Sequence, residues 1–392
     1  MKVALVVSDL QVRGGTQKQV LRLAQDLIRR GVDVQIFTFE YSSSGCYEEF
    51  QSLPVRLVSR RSGALFFRIA SSITAALRIL ANMDRDTDII NVHDLGCDWV
   101  LLLARLWLPK AKLVWQINDL HPAFHLGPFR NLKPKWTHRI HRQLHRWLAK
   151  IADQLTVNVT KNKDRIRDCM GAESRVFYCG VDQLAANAIE RKLHQPIALV
   201  STGVFFPYRN YESLVRAMGV LRNRGISTRL TLVGSTQYCP EYADRIRSLA
   251  CAEGVELRIA GAVDDGDLKQ ILLQSDLFLF ANIDQSWGLA VFEAMSMSLP
   301  VVLSRSAGAV EVLANRPGVH LVDAEKPESI ASGIEAIAKT QERFADTCSQ
   351  AFATVSTLKW SDTYCREMFG LFEELSLSGS RLYGSGLQTE RY

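Results

Sequence analysis

The sequence predicts an α/β protein built of two doubly wound, Rossmann-like domains that face each other across a cleft. Three observations predict it. Short apolar runs rich in Val, Ile and Leu alternate with stretches of helical period along most of the chain. The alternation is interrupted once, by a polar, alanine-rich stretch at residues 183–195, and then restarts. At 392 residues the chain is too long for one ordinary hydrophobic core and suits two.

The elements follow in order. Residues 2–8 are a continuous apolar run that ends in a polar turn, so a buried strand opens the chain and a helix over 16–30 follows it. Further strands are expected at 32–38, 55–58, 88–92, 112–117 and 154–157, with helices between most of them. Such runs belong to a parallel sheet covered on both faces, which places the first domain at 1–182. Beyond the linker at 183–195, strands are expected at 197–201, 227–233, 255–259, 277–281, 300–304 and 319–322. Helices are expected across 212–222, across 241–252 and from 289 onward, and the second domain spans 196–360. A helix over 361–376 closes the pattern, and residues 377–392, rich in Gly and Ser, read as a disordered tail. Ligands of open parallel sheets sit beyond the carboxyl ends of the strands, so two such domains would enclose a deep cleft.

Composition narrows the class. With 47% hydrophobic and 22% charged residues the chain is globular, and no apolar stretch reaches membrane-spanning length because Arg68 and Arg78 interrupt the run 63–83. The first nine residues carry no cleavage signature. Eight scattered cysteines without a C-x-x-C pair read as free thiols of a reducing cytosol rather than as disulfides or zinc ligands. Residues 1–180 hold 27 Lys and Arg against 16 Asp and Glu, whereas the remainder holds 20 against 25. The first half is therefore expected to meet something anionic. No Lys/Arg block with interleaved aromatics is present, so nucleic acid is not the expected partner; a membrane surface or a phosphate-bearing acceptor fits better.

The most informative segment is the run from Gln285 to Met295. It sets a glycine turn, Gly288, at the mouth of a helix and a carboxylate, Glu293, inside it. Helix N-termini attract anions because their first N–H groups have no helical partner and the macrodipole is positive there. A carboxylate further along accepts hydrogen bonds from neutral hydroxyls, so the run suits a phosphorylated sugar. A capped core helix would give the same pattern.

Four patches together carry a family resemblance: Gly14-Gly15-Thr16-Gln17, Tyr178-Cys179-Gly180-Val181-Asp182, residues 202–210, and residues 285–300. With them in order, the chain resembles the retaining, nucleotide-sugar-dependent glycosyltransferases of family 4 and GT-B fold, the glycosyl transferases group 1. The resemblance spans most of residues 1–375. It implies that Gly14 and Gly15 let the backbone approach donor phosphates or acceptor, glycine having no Cβ to block the approach. It implies that Arg209 chelates the diphosphate, through a planar fork suited to phosphate. The family's usual first cation on this loop is replaced by Val204. The family's two glutamates, eight positions apart, fall on Gln285 and Glu293: Glu293 would bind the ribose, and Gln285, Trp287, Gly288 and Leu289 would face the donor sugar or β-phosphate. Val263 is a further nucleotide-binding position on this reading. An amide at 285 still bonds to hydroxyls but brings no charge to a developing oxocarbenium ion.

On the first domain the resemblance places a histidine where Asn118 stands, followed by Asp119. His93, Asn118 and Asp119 are the candidates near the reacting centre, with no catalytic base assigned; Asp119 also reads as a helix cap and His93 as a structural histidine. Asp84-Arg85-Asp86 imitates a metal-binding pair but lies in an expected surface turn, and the resemblance implies neither metal nor cofactor. The stretch 136–151 places Trp136, Ile140, Leu144, Leu148 and Ile151 at helical spacing, with Arg139, Arg142 and Arg146 off that stripe. It reads as a basic amphipathic helix against an anionic membrane or lipid diphosphate, or as a solvated face over a buried stripe.

The resemblance thus implies a cytoplasmic hexosyltransferase, peripheral at the inner face of the membrane. Its donor would be a nucleotide diphosphate sugar, UDP-sugar favoured. Its acceptor would be a saccharide, lipid-linked, in cell-surface polysaccharide synthesis. Two other classes stay open: a sugar-nucleotide-binding scaffold whose chemistry has lapsed, motivated by Val204, Gln285 and Asn118, and a sugar-nucleotide epimerase of the same fold. A dinucleotide oxidoreductase is disfavoured because no Gly-x-Gly-x-x-Gly follows the first strand.

Overall fold

The structure is a computed structural model that describes residues 1–11, 13–42, 47–58, 65–93, 96–339 and 341–381. In chain order the elements are β1 (Lys2–Leu10), α1 (Gly15–Arg29), β2 (Asp33–Tyr41), β3 (Val55–Leu57), α2 (Leu65–Asn82), β4 (Ile89–His93), α3 (Asp98–Trp107), β5 (Lys112–Ile117), α4 (Trp136–Ile151), β6 (Gln154–Val157), α5 (Thr160–Met170) and β7 (Ser174–Val176). They continue as β8 (Ile197–Thr202), α6 (Tyr211–Asn223), β9 (Thr228–Val233), α7 (Pro240–Glu253), β10 (Glu256–Gly261), α8 (Asp265–Leu273), β11 (Leu277–Phe280), α9 (Leu289–Ser296), β12 (Val301–Ser304), α10 (Val310–Leu313), β13 (Val319–Val322), α11 (Pro327–Ala338), α12 (Phe344–Ser356) and α13 (Tyr364–Arg381).

The chain divides into two compact units, Met1–Gly180 together with Trp360–Tyr392, and Val181–Lys359. The first holds a sheet in the order β3-β2-β1-β4-β5-β6-β7, the second a sheet in the order β10-β9-β8-β11-β12-β13. All pairings within both sheets are parallel, as the unbroken apolar strands require. In both sheets the chain order reverses beside the first strand, between β1 and β4 and between β8 and β11. These two switch points are where an open α/β sheet leaves room for a ligand. Each unit has its own apolar core, one around Val6, Ile90 and Trp115, the other around Leu199, Leu232 and Leu279.

β7 has no counterpart among the strands expected from the sequence. It is three residues long and only Ser174 of it is buried, so it carries no apolar run to read. The stretch expected as a linker is irregular in structure, and part of it is fixed to the second unit. The buried Arg191 donates to the carbonyls of Leu272, Leu273, Ser275 and Met297, while the Leu184 and Ile189 amides donate to Ser296 Oγ and Ser298 Oγ. A guanidinium buried among four carbonyl groups closes the C-terminal ends of two helices, α8 and α9, where the dipole favours a cation. The C-terminal helix belongs to the first unit: Tyr364 is fully buried and donates to Gln116 Oε1 at 3.3 Å, and Arg175 forks onto Glu374 at 2.7 and 2.8 Å. This helix, α13, runs on to Arg381, past residue 376 where order was expected to end, and residues 382–392 lie outside the described residues.

Helix α4 departs from its expected orientation. Its buried residues are His138, His145, Leu148 and Ala149, whereas Trp136 is 79% and Ile140 57% exposed. The stripe expected to face the core is therefore half outside, because the space beneath the helix is filled by histidines. His121, from the loop after β5, stacks on His141 at 4.8 Å and lies 4.7 Å from His145, and His138 Nδ1 meets His125 Nε2 at 2.9 Å. His145 Nε2 stands 3.3 Å from Asp98 Oδ2 of α3. Asp84 and Asp86 both pair with Lys2 at the surface, and no metal-binding group of three or more side chains occurs among the described residues.

Candidate active site

The donor candidates assemble at the switch point of the second sheet. The loop leaving β8 starts at Gly203, whose φ of +152° belongs to a region that side chains rarely adopt. A Cβ on Gly203 would strike the guanidinium of Arg209, and one on Gly234, after β9, would strike the Gly203 carbonyl. Glycine at both positions lets the two loops close on each other. Gly203 N donates to Val233 O and Gly234 N to Gly261 O, each at 2.8 Å, so the carboxyl ends of β8, β9 and β10 form a continuous backbone edge.

The rest of this loop is pinned from below. Phe205 is fully buried against Tyr211, 4.9 Å between ring centroids, and Tyr211 Oη donates to Gly203 O at 3.0 Å. Asn210, at φ +56°, precedes α6, and its side chain donates to Ala324 O at 2.6 Å and Ala281 O at 3.3 Å. Asn tolerates this left-handed backbone because its short polar side chain finds a local partner, Ser213 Oγ, which donates to Asn210 Oδ1 at 2.8 Å. The preceding residue, Arg209, is thereby held beside the loop leaving β11, where Ile283 N also donates to Tyr208 O at 2.8 Å.

On that second loop, Arg209 Nη1 donates to Gln285 Oε1 at 3.1 Å, and Asn282 Nδ2 donates to the same oxygen. Gln285 O and Trp287 O accept from the amides of Gly308 and Ala309, both at 3.0 Å, which ties the loop to the one leaving β12. Trp287 is 3% exposed and stacks on Phe292, 4.8 Å and 9° between rings, so its bulk anchors the loop. Gly288, at φ +96°, turns the chain into α9, and a Cβ there would lie 2.8 Å from the Phe280 ring.

Helix α9 buries Val291, Phe292, Ala294, Met295 and Ser296 and leaves Leu289, Ala290 and Glu293 half-buried. Positions 289, 290 and 293 share one side of a helix, so Glu293 opens on the same side as the N-terminal turn. The structure thus brings Arg209, Gln285, Gly288, Leu289 and Glu293 onto two adjoining loops and one helix of the second unit. Val263 is half-buried beyond β10, two strands across from β8, and precedes Asp264, which caps α8.

In the first unit, Gly14 precedes α1 in extended backbone and Gly15 is its first residue. A Cβ on Gly14 would meet the side chain of Gln17, which is buried and donates to Asp9 O at 3.1 Å. Asn118, beyond β5, reaches the same helix, donating to Thr16 Oγ1 at 3.0 Å and Gln19 Oε1 at 2.8 Å and accepting from Gln116 Nε2 at 3.1 Å. Asp119 is half-buried beside it. His93 is wholly buried at the end of β4, with Nε2 2.6 Å from Asn91 Oδ1. Burial pushes its pKa down to about 3, so it is a neutral imidazole at physiological pH. Asp94, next to it in the sequence, lies outside the described residues.

Sequence reasoning missed Asn282 and Ser306 and assigned no role to Asn210. Ser306 Oγ accepts from Asp284 N at 3.0 Å and donates to Asn282 O, bracing the loop from β12. Asn282 is two residues past β11, at the switch point, so the rule that ligands lie beyond strand ends would have found it.

Two parallel, Rossmann-like sheets with glycine-lined strand ends are the architecture of the GT-B glycosyltransferases. The chain matches the family model Glycosyltransferase Family 4 over residues 13–183 and the model Glycosyl transferases group 1 over residues 183–352. It belongs to this family of glycosyltransferases and is an enzyme of that class. It is 23% identical to D-inositol 3-phosphate glycosyltransferase of Corynebacterium glutamicum, with 89% of each chain covered. It is 21% identical to phosphatidyl-myo-inositol mannosyltransferase of Mycobacterium leprae, covering 97% of this chain and 99% of that one. Among solved structures, HepE of Anabaena in complex with UDP and glucose superposes with a TM-score of 0.74 at 16% identity, covering 95% of this chain and 100% of that one.

Proposed function

We propose that the protein transfers a hexose from a nucleoside diphosphate sugar, UDP-sugar favoured, to a saccharide hydroxyl, with retention at the anomeric carbon. The observation that carries this reading is Arg209 beside the Gly288 turn and the N-terminus of α9, with Glu293 opening on the same side. The guanidinium and the first amides of that helix hold the diphosphate, and Glu293 accepts from the ribose hydroxyls. The UDP bound to HepE favours the uridine donor. In transfer with retention the acceptor oxygen forms its bond to C1 on the face from which the diphosphate leaves. The C1–O bond breaks with its electron pair moving to the β-phosphate, and a phosphate oxygen takes the acceptor proton. No protein nucleophile is needed, and Arg209 stabilises the charge that builds on the leaving group. The first unit, with Asn118 and Asp119, presents the acceptor.

Thermal-shift screening against UDP-, GDP- and ADP-sugars tests the donor, followed by turnover with saccharide acceptors read by mass spectrometry. A stabilising sugar nucleotide without transfer to any acceptor would instead favour the lapsed scaffold, and an isomerised donor the epimerase.

A lipid-linked acceptor at an anionic membrane is the reading that α4 supports. Its exposed side presents Trp136, Ile140 and Trp147 among Arg139, Arg146 and Lys150, with no carboxylate on the helix. Aromatic and cationic side chains together suit the headgroup layer of anionic lipid. No helix among the described residues is long and apolar enough to cross a membrane. Sedimentation with phosphatidylglycerol vesicles should carry the protein down, and the triple change Trp136→Ser, Ile140→Ser, Trp147→Ser should leave it in the supernatant. Equal sedimentation of both proteins would remove α4 from the reading.

A further inference from the structure

Gln285 stands where a charged side chain would be of obvious use, and its hydrogen bonds show what the amide does instead. Arginine carries donors only, so the Gln285 atom that faces Arg209 Nη1 is its oxygen. Asn282 donates to the same oxygen. Both acceptor positions of Oε1 are thereby taken by the protein, and the amide NH₂ is the part left for a ligand. Arg209 Nε is buried without a hydrogen-bond partner, and among the described residues no carboxylate lies at ion-pair distance from this guanidinium. The loop 203–210 has no other cation, since Val204 and its neighbours are apolar or uncharged. A half-buried cation in this state keeps its full attraction for an incoming anion.

We propose that Gln285 is a positioning residue: its amide oxygen aims Arg209 at the donor diphosphate without neutralising it, which compensates for the absence of a cation at Val204. The inference rests on the functional reading above. A carboxylate at 285 would form an ion pair with Arg209 in the empty site, and the diphosphate would then have to displace it. The amide orients the guanidinium through one hydrogen bond and brings no charge to compete with phosphate. One cation facing an amide and two cations facing a carboxylate give the same local net charge.

Isothermal titration of UDP, GDP and ADP, and of the corresponding nucleosides, against wild type, Gln285→Glu and Val204→Arg/Gln285→Glu tests the proposal, with melting temperatures recorded to show that each variant is folded. The single change Val204→Arg completes the set. For the tightest diphosphate, Gln285→Glu should weaken binding about tenfold and leave the nucleoside affinity unchanged. Adding arginine at 204 should restore most of the loss in the Gln285→Glu background and bring less than half that gain, on a logarithmic scale, to the wild type. Diphosphate affinity equal to or tighter than wild type in Gln285→Glu overturns the proposal, as does the same gain from Val204→Arg in both backgrounds. A wild type that binds none of the three diphosphates overturns the functional reading itself.

Discussion

At the scale of single residues, Glu293 and Gly288 separate two roles that one sequence motif combines. Glu293 is half-buried, and replacing it with alanine removes an acceptor. Glu293→Ala should weaken nucleoside diphosphate binding by about 1.5–3 kcal/mol, the range of a hydrogen bond to a charged group, with the melting temperature of the free protein recorded to show that the variant is folded. Calorimetry with UDP, 2′-deoxy-UDP and 3′-deoxy-UDP checks it: if all three ligands lose equally, Glu293 does not read the ribose hydroxyls. Gly288→Ala acts through the backbone. The φ of +96° strains any side chain, and the new Cβ meets Phe280, so about 2 kcal/mol of stability should go together with donor binding. Denaturant unfolding of the unliganded protein is the check. These residues were legible in the sequence because a glycine before an apolar helix with a carboxylate inside it is a local pattern. The Arg209–Gln285 bond joins positions 76 apart and depends on β8 and β11 lying side by side, which no local pattern states.

Elements show how a correct pattern can still point the wrong way. The helical period of 136–151 was legible, but its buried side was not, since the period alone does not say which of two part-apolar stripes faces the sheet. Histidines decide it, because imidazoles stack as flat, part-apolar rings and fill the space that leucines would have filled. This has a consequence for pH. His121 faces His141, His145 and His138 of α4, His145 in turn faces Asp98 of α3, and Arg142 of α4 donates to Ala123 O at 3.0 Å next to the loop. Burial, and then the neighbouring histidines, push the His121 pKa down to about 3. The unfolded chain takes up this proton as pH falls below about 6.5, and the folded chain does not. The stabilising contribution is therefore complete above that pH and is lost progressively as pH falls toward 3. His121→Asn keeps the acceptor for Ala123 N, which His121 Nδ1 now provides at 3.1 Å, and removes the titration. The variant should be less stable than wild type in urea at pH 7.5 and should close that gap by pH 5. A gap independent of pH would mean that His121 titrates normally.

For the whole molecule, the two units are not two consecutive halves. The chain leaves the first unit at Gly180, builds the second from Val181 to Lys359, and returns. Alternating apolar runs made both sheets legible, together with most strands of each, but not this return, since a terminal amphipathic helix carries no mark of the core it will cover. Trp360, Tyr364, Cys365, Met368, Leu371 and Phe372 are all buried, Gly180 allows the close approach of the Trp360 backbone, and Arg30 lies 4.8 Å over the Phe369 ring. At about 1.5–3 kcal/mol for each large side chain buried, this strip is as large as the typical net stability of a domain, about 5–15 kcal/mol. Ending the chain at Lys359 should therefore unfold the first unit, although the cut removes none of its strands. The second unit should survive alone: β8 to β13, α6 to α12 and the segment held by Arg191 all lie within 181–359, and so do Arg209, Gln285, Gly288 and Glu293. The fragment 181–359 should melt cooperatively and bind the preferred nucleoside diphosphate within about tenfold of the intact chain, a difference of about 1.4 kcal/mol. Calorimetry on the fragment, and proteolysis of the chain truncated at 359, give the two readouts. A folded fragment that does not bind would show that the nucleotide needs residues of the first unit as well.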